Sequence, residues 1–316
     1  MMTRRQFLRW LGGFGAVGAL AAGYGIAFEP MLRLRIARYD LRPQRWPAGF
    51  ELTIAALADI HACRPWMEPE HIRAIVAATN ALGADLIVLL GDYVGGHRFV
   101  TGRVAPDEWA PVLAELRAPL GVHAILGNHE WWSDRQVQQA GAGPPAARRA
   151  LEAVGIPVYE NDAVRLAKGG HPFWLAGLGD QIAFLPSRRL RPGRPIGVDD
   201  LGGTLAKASD GAPVILLAHE PDIAVRVDER VALMLSGHTH GGQVRLFGWS
   251  PVVPSRYGSR FAYGHVRERC DVIVSGGLGC SIVPFRLGMP PEIVMVTLRS
   301  GSAGEERGVL PARPDV

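Results

Sequence analysis

Seven residues of metal-binding type stand at the ends of short apolar runs. They are Asp59, His61, Asp92, Asn128, His219, His238 and His240. They occur in the segments Asp59-Ile-His61, Gly91-Asp92, Gly127-Asn128-His129-Glu130, His219-Glu220 and Gly237-His238-Thr239-His240. Each segment alone says little, since an isolated histidine is usually structural and a Gly-Asp after a strand is usually a turn. The order of all five, each at a strand end, is what singles them out. Imidazole and carboxylate together suit Zn, Mn, Fe or Ni better than Ca or Mg alone. In an extended segment residues i and i+2 point the same way. The Asp59/His61 and His238/His240 pairs are therefore expected each to converge on one site.

The elements that must position these residues are legible in outline. Apolar runs at 52–58, 86–90, 122–126, 214–218 and 231–236 each end at one of the segments above. Their continuous hydrophobicity predicts strands buried on both faces. Helices are predicted from Pro69 to Leu82 and from Pro106 to Leu116, the first with apolar residues Ile72, Ile75, Val76 and Leu82 at helical spacing. Later strands are expected at 271–275 and 293–298. Strands alternating with helices argue for an α/β fold, with the ligand-type residues aimed by loops from a rigid sheet. The middle, 136–211, shows less order, with loop tips at Ala140–Pro145 and Arg188–Arg194.

The series D-x-H, G-D, G-N-H-E, H and G-H-T-H resembles the calcineurin-like metallophosphoesterase superfamily over roughly residues 52–298. The extended Gly237–Gln243 segment, with Gly277-Leu-Gly279 and Pro290-Pro-Glu292-Ile293, resembles its bacterial branch of exported or membrane-associated phosphodiesterases. The resemblance implies a four-layer α/β/β/α sandwich of two mixed sheets flanked by helices. It implies two divalent metal ions, one held by Asp59, His61, Asp92 and His240, the other by Asp92, Asn128, His219 and His238, with Asp92 bridging. His129 would then be the catalytic residue facing the substrate phosphate, and Glu130, or a carboxylate near it, is expected to orient it. Two cations about 3.5–4 Å apart clamp a phosphate and lower the pKa of a shared water toward roughly 7. A metal-bridging hydroxide attacking phosphorus in line is the reaction this implies. The expected enzyme is a phosphodiesterase, or else a phosphomonoesterase, at the cell envelope, acting on a phosphate ester. The alternatives are a lipid-linked pyrophosphate hydrolase and a non-catalytic metal-binding module of the envelope.

The first residues read as a targeting signal. Arg4-Arg5, followed by Phe7 and Leu8, precedes an uncharged stretch from Trp10 to Phe28. This resembles a bacterial twin-arginine signal, which implies export with the twin-arginine translocase as a partner. Ala19-Leu20-Ala21 is a candidate cleavage site. The apolar run also approaches the length of a membrane span, so a retained anchor is the alternative. Gly13, Gly15 and Gly18 form a formal GxGxxG, but with no strand before it the dinucleotide reading fails. The expected organisation is signal or anchor over 1–28, connector over 29–50, catalytic domain over 51–299 and flexible tail over 300–316.

Composition narrows the class further. The chain has 316 residues, enough for a large core, and 39 glycines and 24 prolines, which favour a loop-rich α/β protein over a helical bundle. A net charge of +4 without a long basic run gives no support for nucleic-acid binding. Cys63, Cys270 and Cys280 form no CxxC motif and are expected to be small buried thiols, with a Cys270–Cys280 disulfide as the alternative outside the cytoplasm. His71 and His123 are expected to be structural, and His171 and His265 to be solvated loop residues. His97 and Arg64 are candidates for substrate contact. Trp131 and Trp132 are candidates for the pocket wall or core, and Arg256–Tyr263 for the rim.

Overall fold

The structure is a computed structural model that describes residues 3–186 and 193–301. The Arg188–Arg194 loop and the 300–316 tail fall outside these residues, apart from Gly193-Arg194 and Ser300-Gly301.

Among the described residues, eleven strands of three or more residues build two mixed sheets. They are β1 (Arg35–Leu41), β2 (Leu52–Leu57), β3 (Leu86–Leu89), β4 (Val122–Ala124), β5 (Asp162–Lys168), β6 (His171–Gly177), β7 (Val214–Leu217), β8 (Val231–Ser236), β9 (Gly264–Arg267), β10 (Asp271–Val274) and β11 (Glu292–Leu298). The first sheet runs β1-β11-β2-β3-β4 and the second β9-β10-β8-β7-β6-β5. In the first sheet only β11 and β2 pair antiparallel. In the second, the central β10, β8, β7 and β6 are parallel, and the two outer pairs antiparallel.

Three apolar clusters define the layers. Leu52, Ile54, Val88, Leu175, Leu217, Leu235 and Val296 fill the space between the sheets. The outer face of the first sheet packs Leu57, Ile87 and Leu89 on Ile72, Ile75, Trp109 and Leu113 from the helices Pro69–Ala81 and Pro106–Leu113. The outer face of the second sheet packs Leu216, Met234 and Val272 on Leu201, Leu205 and Ile223. This is the four-layer α/β/β/α arrangement expected. The central strands β2, β3, β7, β8 and β10 are almost wholly buried, which is why they read as unbroken apolar runs.

Two sequence expectations are corrected. The 29–50 stretch is more than a connector, because β1 within it pairs in parallel with all seven residues of β11. The irregular middle contains the β5–β6 hairpin, closed by Gly169 and Gly170, both with positive φ. β1 and β5 are edge strands with one face in solvent, so they carry Arg, Asp and Lys and lack the apolar signature. The cysteines are the small buried thiols expected: all three are free and buried, and the alternative Cys270–Cys280 disulfide is not formed. Cys270 precedes β10 and Cys280 follows it.

The N-terminal helix Arg4–Gly23 starts at a Thr3–Gln6 capping box and continues through a wider turn, Tyr24–Phe28. The formal GxGxxG lies inside it. Its far end is seated on the domain. Arg286 N donates to Gly25 O (2.8 Å), Trp66 Nε1 to Ile26 O (2.9 Å) and Met289 N to Glu29 Oε1 (2.7 Å).

Candidate metal centre

Loops at the carboxyl ends of β2, β3, β4, β7 and β8 bring all seven expected residues together. The loops after β2 and β3 run side by side, with Asp59 N donating to Gly91 O (3.0 Å) and His61 N to Asp92 O (2.9 Å). The second sheet delivers His219 after β7 and His238 and His240 after β8. His238 N donates to Asp59 Oδ1 (2.9 Å), which stitches the two sheets together at the site.

The side-chain ends crowd around Asp92. Its Oδ2 lies 3.2 Å from His219 Nε2, 3.5 Å from His61 Nε2 and 4.0 Å from His129 Nε2. On one side His240 Nε2 is 3.0 Å from His61 Nε2 and 3.3 Å from Asp59 Oδ1. On the other, His238 Nδ1 is 3.0 Å from Asn128 Oδ1. Two groups with metal-holding geometry result, Asp59–His61–His240 and Asp92–His219–His238; a third, His61–Asp92–His129, joins them.

The donor chemistry fits divalent cations. His61 Nδ1 faces Val94 O (3.2 Å) and His219 Nδ1 faces Leu90 O (2.7 Å). Each carbonyl accepts that N–H, which leaves Nε2 as the ring nitrogen aimed inward, to take a metal or a proton. His219 Nε2 is buried without a hydrogen-bond partner, although Asp92 is beside it. Burial holds His61 neutral, down to about 3, with His129 adding to the effect. Burial, His61 and Arg286 likewise push His240 well below its ordinary value. Burial, with Asp92 close by, pushes the Asp59 carboxyl up to about 7. Burial would raise Asp92 as well, yet His219 and His129 hold it well below the usual carboxylate range. His219 moves the other way: burial opposes its charge, but Asp92 and Asp59 raise it well above the usual value. A carboxylate so placed that it binds a proton between itself and an imidazole can bind a divalent cation there instead.

Backbone strain marks the same residues. Asp59, His61, Asp92, His238 and His240, five of the seven, have φ between 48° and 70°. Left-handed geometry costs a non-glycine residue on the order of 1–2 kcal/mol. It also corrects the expectation that the i, i+2 pairs lie in extended chain: they converge through left-handed loop residues. Glycine is required where the loops touch. A Cβ on Gly237 would sit 2.5 Å from Asp59 Oδ2, and one on Gly127 2.4 Å from Asp92 Oδ1.

His129 is the second residue of the short helix Asn128–Ser133 and is one-fifth exposed, whereas His61 and His219 are fully enclosed. Its Nε2 lies 3.4 Å from Ser281 Oγ, and its ring is 5.6 Å from Trp132, which walls the site. Glu130 does not orient His129, contrary to expectation. Its carboxylate accepts the backbone N–H of Gly127 (2.8 Å), Asp92 (2.9 Å), Tyr93 (2.8 Å) and Val94 (3.1 Å), and so braces the Asp92 loop.

The remaining candidates divide. Arg64 pairs with Glu108 and with Arg103 O, away from the site. His97 is buried, 5.2 Å from the Trp66 ring, with Nδ1 accepting from Phe99 N (3.3 Å). His71 bonds Trp66 O, His123 bonds Tyr159 and Leu120, and Trp131 is core. His171 and His265 are not solvated loop residues. His171 stacks on Phe50 from β6, and His265 in β9 bonds Asp271 (2.8 Å). Of the Arg256–Tyr263 stretch, Arg256 bonds Asp222 and Tyr263 bonds Glu292. Arg286 escaped sequence reading. Wholly buried, it donates to Gly276 O, Gly279 O and Met289 O and lies 3.2 Å from His240 Nδ1. A lone loop arginine carries no signal of such a role.

Two stacked sheets with a carboxylate–imidazole nest at their edge define a metal-dependent hydrolase scaffold. Residues 52–242 match the family Calcineurin-like phosphoesterase, and the chain belongs to it. The chain is 31% identical over 312 residues to the uncharacterized metallophosphoesterase YkuE of Bacillus subtilis strain 168, covering 95% of this chain and 98% of that one. It is 32% identical over 311 residues to the phosphodiesterase YaeI of Escherichia coli strain K12, covering 94% and 100%. A transmembrane protein with metallophosphoesterase domain from Bos taurus is 28% identical over 333 residues, covering 93% and 68%. The protein is a metal-dependent phosphoester hydrolase.

Proposed function

We propose that this protein is a two-metal phosphodiesterase of the cell envelope, exported by the twin-arginine route and held by its N-terminal helix. The observation that carries the two-metal reading is Asp92 Oδ2, which stands between two groups of ligand-type side chains, 3.5 Å from His61 and 3.2 Å from His219. Asp59, His61, Asp92 and His240 would hold one ion, and Asp92, Asn128, His219 and His238 the other. Mn, Fe, Zn or Ni fit this mixture of imidazole, carboxylate and amide. When bound, such ions supply charge for the phosphate oxygens and activate water for attack at phosphorus.

The protein's own groups do the rest. His129, at the open side, donates a proton to the leaving oxygen or a hydrogen bond to the phosphate. Ser281 and Trp132 hold its ring. Glu130 keeps the Asp92 loop in its strained form through four backbone N–H bonds.

Support for the diester comes from the relative named a phosphodiesterase, alike over its whole length. Support for the envelope comes from Arg4-Arg5 at the start of a helical stretch whose part Gly13–Leu32 is long and apolar enough to cross a membrane, and from the relative named a transmembrane protein. The test uses full-length protein loaded with manganese, assayed on bis-p-nitrophenyl phosphate and p-nitrophenyl phosphate with and without chelator. Chelator-sensitive hydrolysis of the diester is expected. Hydrolysis of the monoester alone would overturn the phosphodiesterase reading, and no hydrolysis with any of the four metals would favour a binding module.

A further inference from the structure

We infer that the rim of the metal site is a membrane-docking surface, seated in the lipid bilayer beside the N-terminal helix, so that the site opens at the bilayer surface. The inference rests on the reading of that helix as an anchor.

The geometry starts where the helix meets the domain. Gly25 lies against the Phe285 ring, closely enough that a Cβ would sit 2.3 Å from it, and Arg286 N donates to Gly25 O. The next strip of chain, 243–246, is bonded to 281–287. Arg245 N donates to Leu287 O (2.9 Å), Leu287 N to Gln243 O (2.9 Å) and Ser281 N to Gln243 Oε1 (2.7 Å). Bonded neighbours of this kind lie about 5 Å apart, so the 246–249 turn projects close to the helix exit. Across the mouth, Trp66 bonds Ile26 O and leads through His97 to Phe99. Ser281, touching His129, joins this rim to the catalytic opening.

The rim is apolar where a water-facing loop should be polar. Leu246, Phe247, Trp249, Val252, Ile282 and Phe99 are all exposed, Trp249 by 62% and Phe247 fully. The 246–249 turn is closed by Leu246 N to Trp249 O (2.9 Å) and Trp249 N to Leu246 O (3.0 Å), with φ of 52° at Phe247 and 83° at Gly248. Such a turn favours Asn or Gly at its first central position. Phenylalanine there accepts left-handed strain and exposes its whole ring, with no return inside the domain. Insertion of the ring into lipid supplies the return, and a tryptophan beside it suits the headgroup level. Exposed Arg33, bonded to Tyr24 Oη, and exposed Arg98, over the Phe99 ring, flank the patch and match anionic headgroups. An apolar surface continuous with a spanning helix, fringed by arginines, fits a lipid bilayer.

The three native cysteines are buried, which allows selective labelling of new ones. Full-length Phe247→Cys, Leu20→Cys and Glu229→Cys would carry an environment-sensitive fluorophore in vesicles of phosphatidylglycerol and phosphatidylethanolamine. Glu229 precedes β8, at the end opposite the site. Labels at 20 and 247 should both shift to the blue and be quenched by nitroxide lipid, and the label at 229 should do neither. A label at 247 that behaves like the one at 229, while that at 20 is quenched, overturns the docking surface and leaves the anchor standing. If the label at 20 is also unquenched, the anchor reading fails and takes the docking surface with it. Should the change at 247 prevent folding, brominated lipid must quench tryptophan emission less in Trp249→Phe than in wild type; equal quenching overturns the proposal.

Discussion

His129 and Glu130 are sequence neighbours with separate duties. His129 faces the opening, while Glu130 is enclosed and spends its carboxylate on four backbone N–H groups. Their substitutions should therefore separate. His129→Ala should retain its metal content, measured by elemental analysis, and lose about 10²–10⁴-fold in turnover, the usual worth of a general acid. Loss of metal instead would make His129 a ligand. Glu130→Ala leaves buried donors without acceptors, each worth about 1–3 kcal/mol. Both melting temperature and metal content should fall, because the Asp92 loop is released; a variant with full metal content would show that the loop needs no brace.

At the scale of elements, one carboxylate clamps the two sheets together at the end opposite the site. Asp85, at the start of β3, accepts from Thr53 N (2.8 Å) and Thr53 Oγ1 (2.7 Å) in the first sheet and from Lys168 Nζ (2.6 Å) at the end of β5 in the second. Burial would raise its pKa, but the Lys168 and Thr53 hydrogen bonds outweigh it and hold the carboxyl below its ordinary value. A depressed folded pKa contributes stability that is present above the unfolded value and lost as pH falls through the folded one. Asp85→Asn should therefore cost about 1.5–3 kcal/mol in urea unfolding at pH 7, the range for bonds to a charged group. The difference from wild type should shrink below about pH 4, where the unfolded carboxyl protonates. A pH-independent difference would mean that shape, and not charge, sets the cost.

The whole molecule places a metal site, an apolar helix and an apolar rim on one side. The seating of Gly25–Glu29 on the 285–289 loop puts the helix beside the site and makes its attachment part of the domain surface. The proposed export by the twin-arginine route requires the paired guanidinium groups. Arg4→Lys together with Arg5→Lys keeps charge and helix but removes the pair, and should leave the protein inside the cell on fractionation. Unchanged export would assign the N-terminus to the general secretory route.

The ligand-type residues, their order and the central strands were legible because their physics is local. Strands buried on both faces must be apolar throughout, and metal-binding side chains are few in kind. Even the β5–β6 hairpin had a readable sign in Gly169-Gly170, since a two-residue turn with both φ positive favours glycine. β1 stayed hidden because an edge strand has one wet face and needs no apolar run. Long-range partners decided the rest. Glu130 and Arg286 act on backbone groups, which have no side-chain signature, so only the folded chain shows the first bracing Asp92 and the second lying behind His240. The left-handed backbone that turns Asp59, His61, Asp92, His238 and His240 inward is likewise set by the loops and glycines packed against it, so the sequence specified which residues meet and the tertiary structure specified how.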